Sequence, residues 1–336
     1  MLVLTGQHPG LEAQEFGLDK FVAAHLACPG EEDPHRHVQA VTASVLQLLR
    51  PEPDLVVVQG DTSSALGATL AASLCGVPVA HVEAGLRTHD PLLPWPEEEY
   101  RTAIDARADL LFAPTEKAAS NLRAEGVPGD VHVTGNTGID AVLATRARLP
   151  TASLAVEKLP RILVTCHRRE SWGEGLRSIA TALTEIARDG IALIDLVLHP
   201  NAHVAATMRQ SLDSIRGISL IAPCSQSELV RRMCEAELML SDSGGIQEEA
   251  PALGTPLLVL RDKTERPEAI ASGNARLVGT SADRIVAEVR RLLQNSSERL
   301  EMARPALPFG DGQAAPRIAA IIEQWLAQRP QFGRLS

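Results

Sequence analysis

The chain has 336 residues, of which 45% are hydrophobic and 22% charged, as expected for a globular protein with two domains. Its net charge is −10 without a long basic run, and only 3% of its residues are aromatic, which argues against nucleic acid as the main partner. The five cysteines are scattered without a C-x-x-C pair, and neither a long apolar run nor a leader pattern is present. The sequence therefore predicts a cytoplasmic protein without disulfides, metal or membrane span.

In the first part of the chain, apolar runs predict parallel strands separated by helices. The β-branched run at 54–59 predicts a buried strand, and residues 65–75 predict a helix of small residues that ends at Gly76. A strand at 77–82 follows directly, which is the βαβ pattern of a parallel sheet. The same criteria predict strands at 1–6, 110–113 and 131–134, helices at 38–49, 96–108 and 115–125, and a weak helix at 11–26.

The pattern restarts after a stretch with Pro150 and Pro160, which is predicted to be a helix and a linker. Strands are then predicted at 162–166, 192–198, 218–221, 238–240, 256–260 and 275–278, and helices at 175–188, 203–214, 226–235, 246–253 and 282–293. The fold class is therefore α/β, with two doubly wound Rossmann-like domains: residues 1–140, joined by a tail helix within 313–336, and residues 141–312. Ligands bind at the carboxyl ends of such strands, so we expect the site in a cleft between the domains.

The turn Ser241-Asp242-Ser243-Gly244-Gly245 connects a predicted strand to a predicted helix and is a candidate anion site. Paired glycines let a ligand approach the backbone, and a helix start offers free N–H groups and the positive end of the helix dipole. The carboxylates of Glu248 and Glu249, one turn into the helix, are candidates for binding ribose hydroxyls. The alternative is an ordinary strand–turn–helix connection with a Ser or Asp N-cap.

Polar residues also follow two strands of the first domain, at the edge where ligands bind in this architecture. Asp61 follows the strand at 54–59, and Glu83 follows the strand at 77–82. Either carboxylate is a candidate for ligand binding or proton transfer. The alternatives are an N-cap role for Asp61 and a salt bridge between Glu83 and Arg87.

The run 94–101 places several glutamates in the first turn of a helix that begins near Pro96. Such residues complement the helix dipole, and Glu97 also stands four residues before Arg101, a spacing typical of a surface ion pair. The alternative is a general acid or base that Arg101 holds in place. Carboxylates whose pKa is raised by crowding are among the groups that transfer protons near neutral pH.

Together with further segments, these residues resemble the non-hydrolysing UDP-N-acetylglucosamine 2-epimerases. The resemblance includes Gly60-Asp61-Thr62, His81-Val82-Glu83-Ala84-Gly85 and Pro94-Trp95-Pro96-Glu97-Glu98. The full ordered set is 5–8, 60–62, 81–88, 94–98, 133–137, 167–170, 242–251, 264–268 and 310–314. It extends over nearly the whole chain and is far more specific than any single segment.

The resemblance implies a two-domain fold like that of the nucleotide-sugar glycosyltransferases, of the GT-B-like type, with the site in the cleft. It implies interconversion of UDP-GlcNAc and UDP-ManNAc: the C2 proton is removed while UDP leaves C1, and UDP adds back after reprotonation of the opposite face. This route needs no nicotinamide, other cofactor or metal. The resemblance also implies a cytoplasmic homodimer that serves polysaccharide biosynthesis.

The resemblance assigns roles to individual positions. The candidate acid/base carboxylates are Asp61, Glu83 and Glu97, with His167 at the leaving diphosphate and Arg101 organising the carboxylates. The candidate UDP-binding residues are Ser243, Gly244 and Gly245 at the diphosphate, Glu249 at the ribose and Arg266 on the nucleotide side. A second, activating UDP-GlcNAc site is implied at Gln7, His8, Arg168 and His199.

The sequence also departs from the family pattern. Family members begin with a strand, a Gly-Thr-Arg-Pro-Glu loop and a Lys-bearing helix, so we expect a central strand and a diphosphate-side Arg to be missing here. Pro9 and Gly10 stand where a basic residue is usual, and Tyr100 where Asn is usual. Because of the missing strand, a non-catalytic nucleotide-sugar-binding protein stays open as an alternative. Three enzyme alternatives also stay open: a 2-epimerase for a modified UDP-HexNAc, a hydrolysing relative, and a glycosyltransferase.

Overall fold

The computed structural model describes residues 1–7, 13–16, 18–150, 159–166, 173–199 and 201–329. The chain forms two compact units, Met1–Asn136 with Ala315–Ser336, and Thr137–Ala314. Every strand pairing described in the two units is parallel. Helices alternate with most of the strands, so the architecture is α/β, as the sequence predicts.

The first unit contains two parallel sheets. Its strands are β1 (Leu2–Leu4), β2 (Val22–His25), β3 (Val56–Gln59), β4 (Val79–Val82), β5 (Leu110–Ala113) and β6 (Asp130–Val133). Its helices are α1 (Pro34–Leu48), α2 (Ser63–Cys75), α3 (Glu97–Asp105), α4 (Glu116–Glu125) and, near the end of the chain, α13 (Ala314–Gln328). The larger sheet has the strand order β3-β4-β5-β6, and β1 pairs with β2 in the smaller one.

Helices α2 and α4 begin and end where local groups satisfy their terminal backbone atoms. Thr62 accepts a hydrogen bond from Ala65 N at 3.1 Å, and Thr115 accepts one from Ala118 N at 3.0 Å. Both helices end at a glycine in the left-handed region, Gly76 with φ 69° and Gly126 with φ 66°. The predictions of both helices are confirmed. They could be made from the sequence because these capping signals lie within a few residues of the helix ends.

The weak helix predicted at 11–26 is wrong. The described part of this stretch contains two short 3₁₀ turns, Ala13–Phe16 and Asp19–Phe21, and then strand β2. Strand β2 pairs in parallel with β1, with Leu2 opposite Val22 and Leu4 opposite His25. The strand is stabilised by this pairing with a distant segment, so its own residues carry little local signal for it.

The second unit is a six-stranded parallel sheet with flanking helices. Its strands are β7 (Arg161–Thr165), β8 (Leu193–Val197), β9 (Ile218–Ile221), β10 (Leu238–Ser241), β11 (Leu257–Val259) and β12 (Ala275–Leu277). Its helices are α5 (Thr137–Arg148), α6 (Glu174–Arg188), α7 (Ala202–Leu212), α8 (Gln226–Glu235), α9 (Gly244–Leu253), α10 (Pro267–Ala271), α11 (Ala282–Gln294) and α12 (Ser296–Met302). Helices α10 and α12 were not predicted, because helices this short span too few turns to show periodicity.

The strand order of this sheet is β12-β11-β10-β7-β8-β9. The chain extends from β7 through β8 to β9 and then returns to β10 on the other side of β7. The direction in which successive strands are added to the sheet therefore reverses between β7 and β10. In an open parallel sheet, a ligand crevice forms at such a reversal, outside the carboxyl ends of the strands.

An apolar groove of about 640 Å³ lies in the first unit between β1 and β3. Its lining includes Leu2 and Val3 of β1 and Val57 and Val58 of β3. Val57 is 53% exposed, whereas Val58 is 7% exposed and belongs to the core between the sheet and its helices. The groove therefore leaves an apolar strand surface in contact with solvent.

We expect Val57→Thr to reduce the binding of an apolar fluorescent dye, because the substitution makes an exposed wall of this groove polar while keeping a β-branched side chain. The free energy of unfolding should change by less than about 0.5 kcal/mol. The matched control is Val58→Thr, which buries a hydroxyl group and should cost about 1–3 kcal/mol. Dye fluorescence and urea unfolding measure the two effects. Wild-type dye binding by Val57→Thr would show that the dye binds elsewhere.

Candidate functional site

Asp61 and Arg101 form an ion pair at the carboxyl end of β3. Asp61 lies in the turn after this strand, and its Oδ2 atom accepts a hydrogen bond from Arg101 Nη2. The Arg101 side chain is 3% exposed and that of Asp61 is 30% exposed, so the arginine is fixed while the carboxylate still reaches solvent. The alternative role of Asp61 as a helix N-cap is wrong, because Thr62 caps α2.

Glu83 follows β4 with its backbone in the left-handed region, at φ 70°, where a residue with a side chain is strained. The chain around it is fixed. Ala84 N donates to the Phe112 carbonyl at 3.1 Å, and the Gly85 carbonyl accepts a hydrogen bond from a buried asparagine of α4 at 2.9 Å. A Cβ atom at Gly60 would lie 3.5 Å from Glu83 Oε2. The Glu83 carboxylate therefore lies beside the turn that carries Asp61.

Helix α3 carries the third candidate carboxylate, Glu97, in its first turn. The adjacent Glu98 is buried, and its Oε1 atom accepts hydrogen bonds from the N–H groups of Thr88 at 2.9 Å and His89 at 3.0 Å. Its Oε2 atom lies 3.5 Å from Arg101 Nη1. Glu98 therefore holds the segment after β4 against α3, and Glu97 lies one turn before Arg101 on that helix.

A buried network lies beneath these loops. His81 and Asp105 are both 0% exposed, and His81 Nδ1 lies 2.6 Å from Asp105 Oδ1. The other ring nitrogen, Nε2, lies 2.9 Å from the Gly60 carbonyl. The sequence suggested Glu83 as a salt-bridge partner of Arg87. In the structure, Arg87 pairs with Asp105 at 2.8 Å and with Glu125 at 2.6 Å. The network therefore links β4, α3 and α4 with the turn after β3.

The network was missed by the sequence analysis. Its signals were a histidine within the apolar strand 79–82 and an aspartate four residues after Arg101, and both patterns are common in ordinary cores. In the structure, burial alone would raise the pKa of Asp105, but the attraction of His81 and Arg87 outweighs burial and holds that pKa below its usual value. Asp105 is therefore an ionised, fully paired carboxylate.

In the second unit, the turn at 241–245 lies at the end of β10, where the direction of strand addition reverses. Ser241 Oγ is hydrogen-bonded to Thr165 Oγ1 of β7 at 2.7 Å and accepts from Ser243 N at 3.0 Å. Ser243 is the N-cap residue of α9, but among the described residues its side chain makes no capping hydrogen bond. The first N–H groups of α9 are thus not capped by this side chain, which suits them to bind an anion.

Arg266 lies against Gly244 of this turn. A Cβ atom at Gly244 would lie 2.6 Å from Arg266 Nη1, so any larger residue there displaces the guanidinium group. Arg266 Nε donates to Glu248 Oε1 at 2.6 Å, and Nη1 pairs with Glu265. Both glutamates are buried. Glu248 is thus engaged by Arg266, which leaves Glu249 as the carboxylate of α9 for a ligand.

Glu249 lies close to the same turn. A Cβ atom at Gly245 would lie 3.9 Å from Glu249 Oε1. Burial raises the pKa of Glu249 to about 7. At neutral pH this carboxyl group is therefore near half-protonation, and a ligand that donates hydrogen bonds to it would favour its charged form.

The candidates for the activating site fall in different parts of the chain. Gln7 lies in the first unit, where its Oε1 atom accepts from Ser64 N at 3.2 Å and from Ser64 Oγ at 2.6 Å. His199 lies in the second unit after β8, and its Nδ1 atom accepts from Asn201 N at 2.9 Å. Burial lowers the pKa of His199, against the opposing effect of Asp242. The remaining activating-site candidates, His8 and Arg168, lie outside the described residues, as does His167, the candidate at the leaving diphosphate.

The described ranges contain neither a metal-ligand cluster nor a membrane-spanning helix. No group of three or more His, Cys, Asp or Glu side chains there is arranged to hold a metal ion. No helix in those ranges is long and apolar enough to cross a membrane.

Comparison with known proteins identifies one family. A family model described as UDP-N-acetylglucosamine 2-epimerase matches residues 1–323. A relative from Ralstonia solanacearum, named a probable UDP-N-acetylglucosamine 2-epimerase, is 48% identical over 290 aligned residues, which cover 82% of this chain and 77% of that protein. The UDP-N-acetylglucosamine 2-epimerase of Salmonella typhimurium is 42% identical, with coverage of 87% and 82%.

A solved structure is also similar over most of its length. It is the UDP-GlcNAc 2-epimerase of Neisseria meningitidis bound to UDP-GlcNAc, with a TM-score of 0.88 and 35% sequence identity. The match covers 95% of this chain and 90% of that one. The fold is therefore α/β with parallel sheets in two domains of the GT-B-like type.

We expect Glu249→Gln to remove a pH dependence of folding stability. The pKa of Glu249 is raised from 4.5 to about 7, so the folded chain binds this proton more tightly than the unfolded chain. Stability should therefore fall as the pH rises from about 4.5 to about 7, by about 3 kcal/mol in total. Relative to wild type, Glu249→Gln should gain stability over that window.

Urea unfolding of the ligand-free protein at a series of pH values measures this difference. The control is Glu52→Gln, which removes an exposed carboxylate. Parallel stability profiles for wild type and Glu249→Gln would contradict the prediction.

Proposed function

The chain belongs to the UDP-N-acetylglucosamine 2-epimerase family, and we propose that it interconverts UDP-GlcNAc and UDP-ManNAc by elimination and re-addition of UDP. The observation that carries the proposal is the group of carboxylates in the first unit. Asp61 and Glu83 follow neighbouring strands, and Glu97 begins the helix whose Arg101 pairs with Asp61. Inversion at C2 needs one group that removes a proton and another that returns a proton to the opposite face. Asp61, Glu83 and Glu97 are proposed to supply both.

The proposed reaction balances without an oxidant. One carboxylate takes the C2 proton, and the electron pair of that C–H bond forms a double bond between C1 and C2. The bond from C1 to the diphosphate oxygen breaks, and its electrons leave with UDP. In the return step a carboxylic acid protonates C2 from the other face while a diphosphate oxygen attacks C1. Arg101 orients the Asp61 carboxylate for these transfers.

The second unit is proposed to bind UDP. The diphosphate is placed on Ser243, Gly244 and Gly245, because the N–H groups at the start of α9 and the helix dipole favour an anion. Glu249 accepts hydrogen bonds from the ribose hydroxyls, and Arg266 contacts the nucleotide with its guanidinium orientation fixed by two buried carboxylates. The UDP-GlcNAc bound to the Neisseria meningitidis relative supports this class of ligand.

Further parts of the proposal rest on the resemblance. His167 is proposed to act at the leaving diphosphate, and a second, activating UDP-GlcNAc is proposed to bind at Gln7, His8, Arg168 and His199. The chain is proposed to act as a homodimer in the cytoplasm, in the supply of sugars for polysaccharide biosynthesis. No step is assigned to a metal or a cofactor.

Solvent deuterium tests the chemistry. Because elimination breaks the C2–H bond and re-addition draws its proton from groups in exchange with water, UDP-ManNAc formed in D₂O should carry deuterium at C2. Asp61→Asn or Glu97→Gln should lower turnover by about 10²–10⁴-fold. The matched control is Glu99→Gln, which removes an exposed carboxylate from the same helical turn and should keep turnover. Mass spectrometry and NMR measure the label, and protium at C2 of the product would refute the elimination route.

The glycine turn gives a separate test of UDP binding. Gly244→Ala should weaken UDP binding at least about tenfold, because the new Cβ displaces the Arg266 guanidinium. Among the described residues, Gly245→Ala meets no atom closer than Glu249 Oε1 at 3.9 Å, so lost affinity there would report direct contact with the ligand. Calorimetry measures both affinities. Wild-type UDP affinity in both variants would show that the turn is not part of the binding site.

A further inference from the structure

The turns that carry Asp61 and Glu83 are both held by one buried side-chain pair. His81 lies on β4, with Nε2 2.9 Å from the Gly60 carbonyl of the turn after β3. Its Nδ1 atom lies 2.6 Å from Asp105 Oδ1 at the end of α3. Through this ring, the residue directly before Asp61 is connected to α3, the helix that begins with Glu97.

The second oxygen of the same carboxylate holds the other turn. Asp105 Oδ2 accepts a hydrogen bond from Gly85 N at 3.2 Å and pairs with Arg87 Nη2 at 2.8 Å. Gly85 is two residues after Glu83, and its φ is +85°. A Cβ at Gly85 would lie 2.3 Å from the Ala118 carbonyl, so this turn is tightly enclosed. One carboxylate thus fixes both turns relative to each other.

The hydrogen-bond chemistry of His81 is also decided by its partners. The Gly60 carbonyl can only accept, and so can the carboxylate of Asp105, whose pKa is held low by His81 and Arg87 against the effect of burial. Each ring nitrogen of His81 therefore faces an oxygen that can accept a hydrogen bond. Charged hydrogen bonds of this kind are shorter and more directional than neutral ones, and a buried pair stays satisfied only in one arrangement.

We propose that His81 and Asp105 are positioning residues that keep Asp61 and Glu83 aligned for proton transfer; this inference rests on the proposed function. The Glu83 backbone is strained at φ 70° and needs surrounding contacts to persist. The Gly60 turn likewise needs a fixed donor on its carbonyl. Misplacement of a catalytic group by about 1 Å can cost about 10²-fold in rate.

Two amide variants of His81 separate the contacts. The amide nitrogen of Gln stands near the position of Nε2, and that of Asn near the position of Nδ1. His81→Gln therefore keeps a donor for the Gly60 carbonyl, whereas His81→Asn keeps one for Asp105 and removes the side-chain donor of the Gly60 carbonyl. His81→Asn should lower kcat about 10–100-fold with KM within about threefold of wild type. His81→Gln should retain clearly more activity.

A double-mutant cycle tests the route of the effect. If His81 acts through Asp61, the loss from His81→Asn should nearly vanish in an Asp61→Asn background. The matched control is Glu125→Gln, which changes a partner of Arg87 that contacts neither turn and should leave kcat within about twofold. Fully additive losses, or a wild-type kcat for His81→Asn, would overturn the proposal.

Amide hydrogen exchange tests the proposal without using activity. His81→Asn should speed exchange in residues 60–62 while the rest of the first unit stays protected. Faster exchange throughout the unit, with a lowered melting temperature, would show a merely structural role and overturn the proposal. Absence of epimerisation by the wild-type protein would instead refute the proposed function, and hydrogen exchange would still decide whether His81 positions the turn.

Discussion

In the first unit, the arrangement of the two turns that carry Asp61 and Glu83 depends on the buried carboxylate of Asp105. Parallel pairing brings the carboxyl ends of β3 and β4 to the same edge of the sheet, and the last residues in register, Gln59 and Val82, come just before the turns that carry Asp61 and Glu83. Asp105 extends the connection beyond the ladder, to Gly85 directly and to the turn after β3 through His81. Because these groups are buried and charged, loss of one partner leaves an uncompensated charge, so the arrangement holds as a unit.

Charged groups are arranged differently in the two units. In the first unit, carboxylates and cations lie in contact, as Asp61 with Arg101 and Asp105 with Arg87. In the second, the candidate anion site is mainly backbone, the start of α9, with Arg266 held beside it by two glutamates. A chain with a net charge of −10 can therefore offer a site for a diphosphate, because local donors rather than net charge decide what binds.

Carboxyl groups of similar intrinsic acidity are driven in opposite directions by their surroundings. Asp105 is fully buried, yet its pKa lies below the usual value because His81 and Arg87 contact it. Glu249 is partly buried, and burial raises its pKa to about 7. The difference follows from the neighbouring cations rather than from depth alone. The Asp105 carboxylate is suited to hold a fixed structure, and the Glu249 carboxyl group is suited to respond to a ligand.

The sequence by itself determined the α/β class, most strands and helices, and the family. Caps such as Thr62 and stops such as Gly76 act within a few residues, and the ordered polar segments at strand ends are visible in one dimension. Only the tertiary structure decided which residues meet. His81 and Asp105 are 24 positions apart, Asp61 and Arg101 are 40 apart, and β2 exists through its pairing with β1. These contacts follow from strand register and helix packing, because they depend on the positions of distant segments in space and leave no local periodicity.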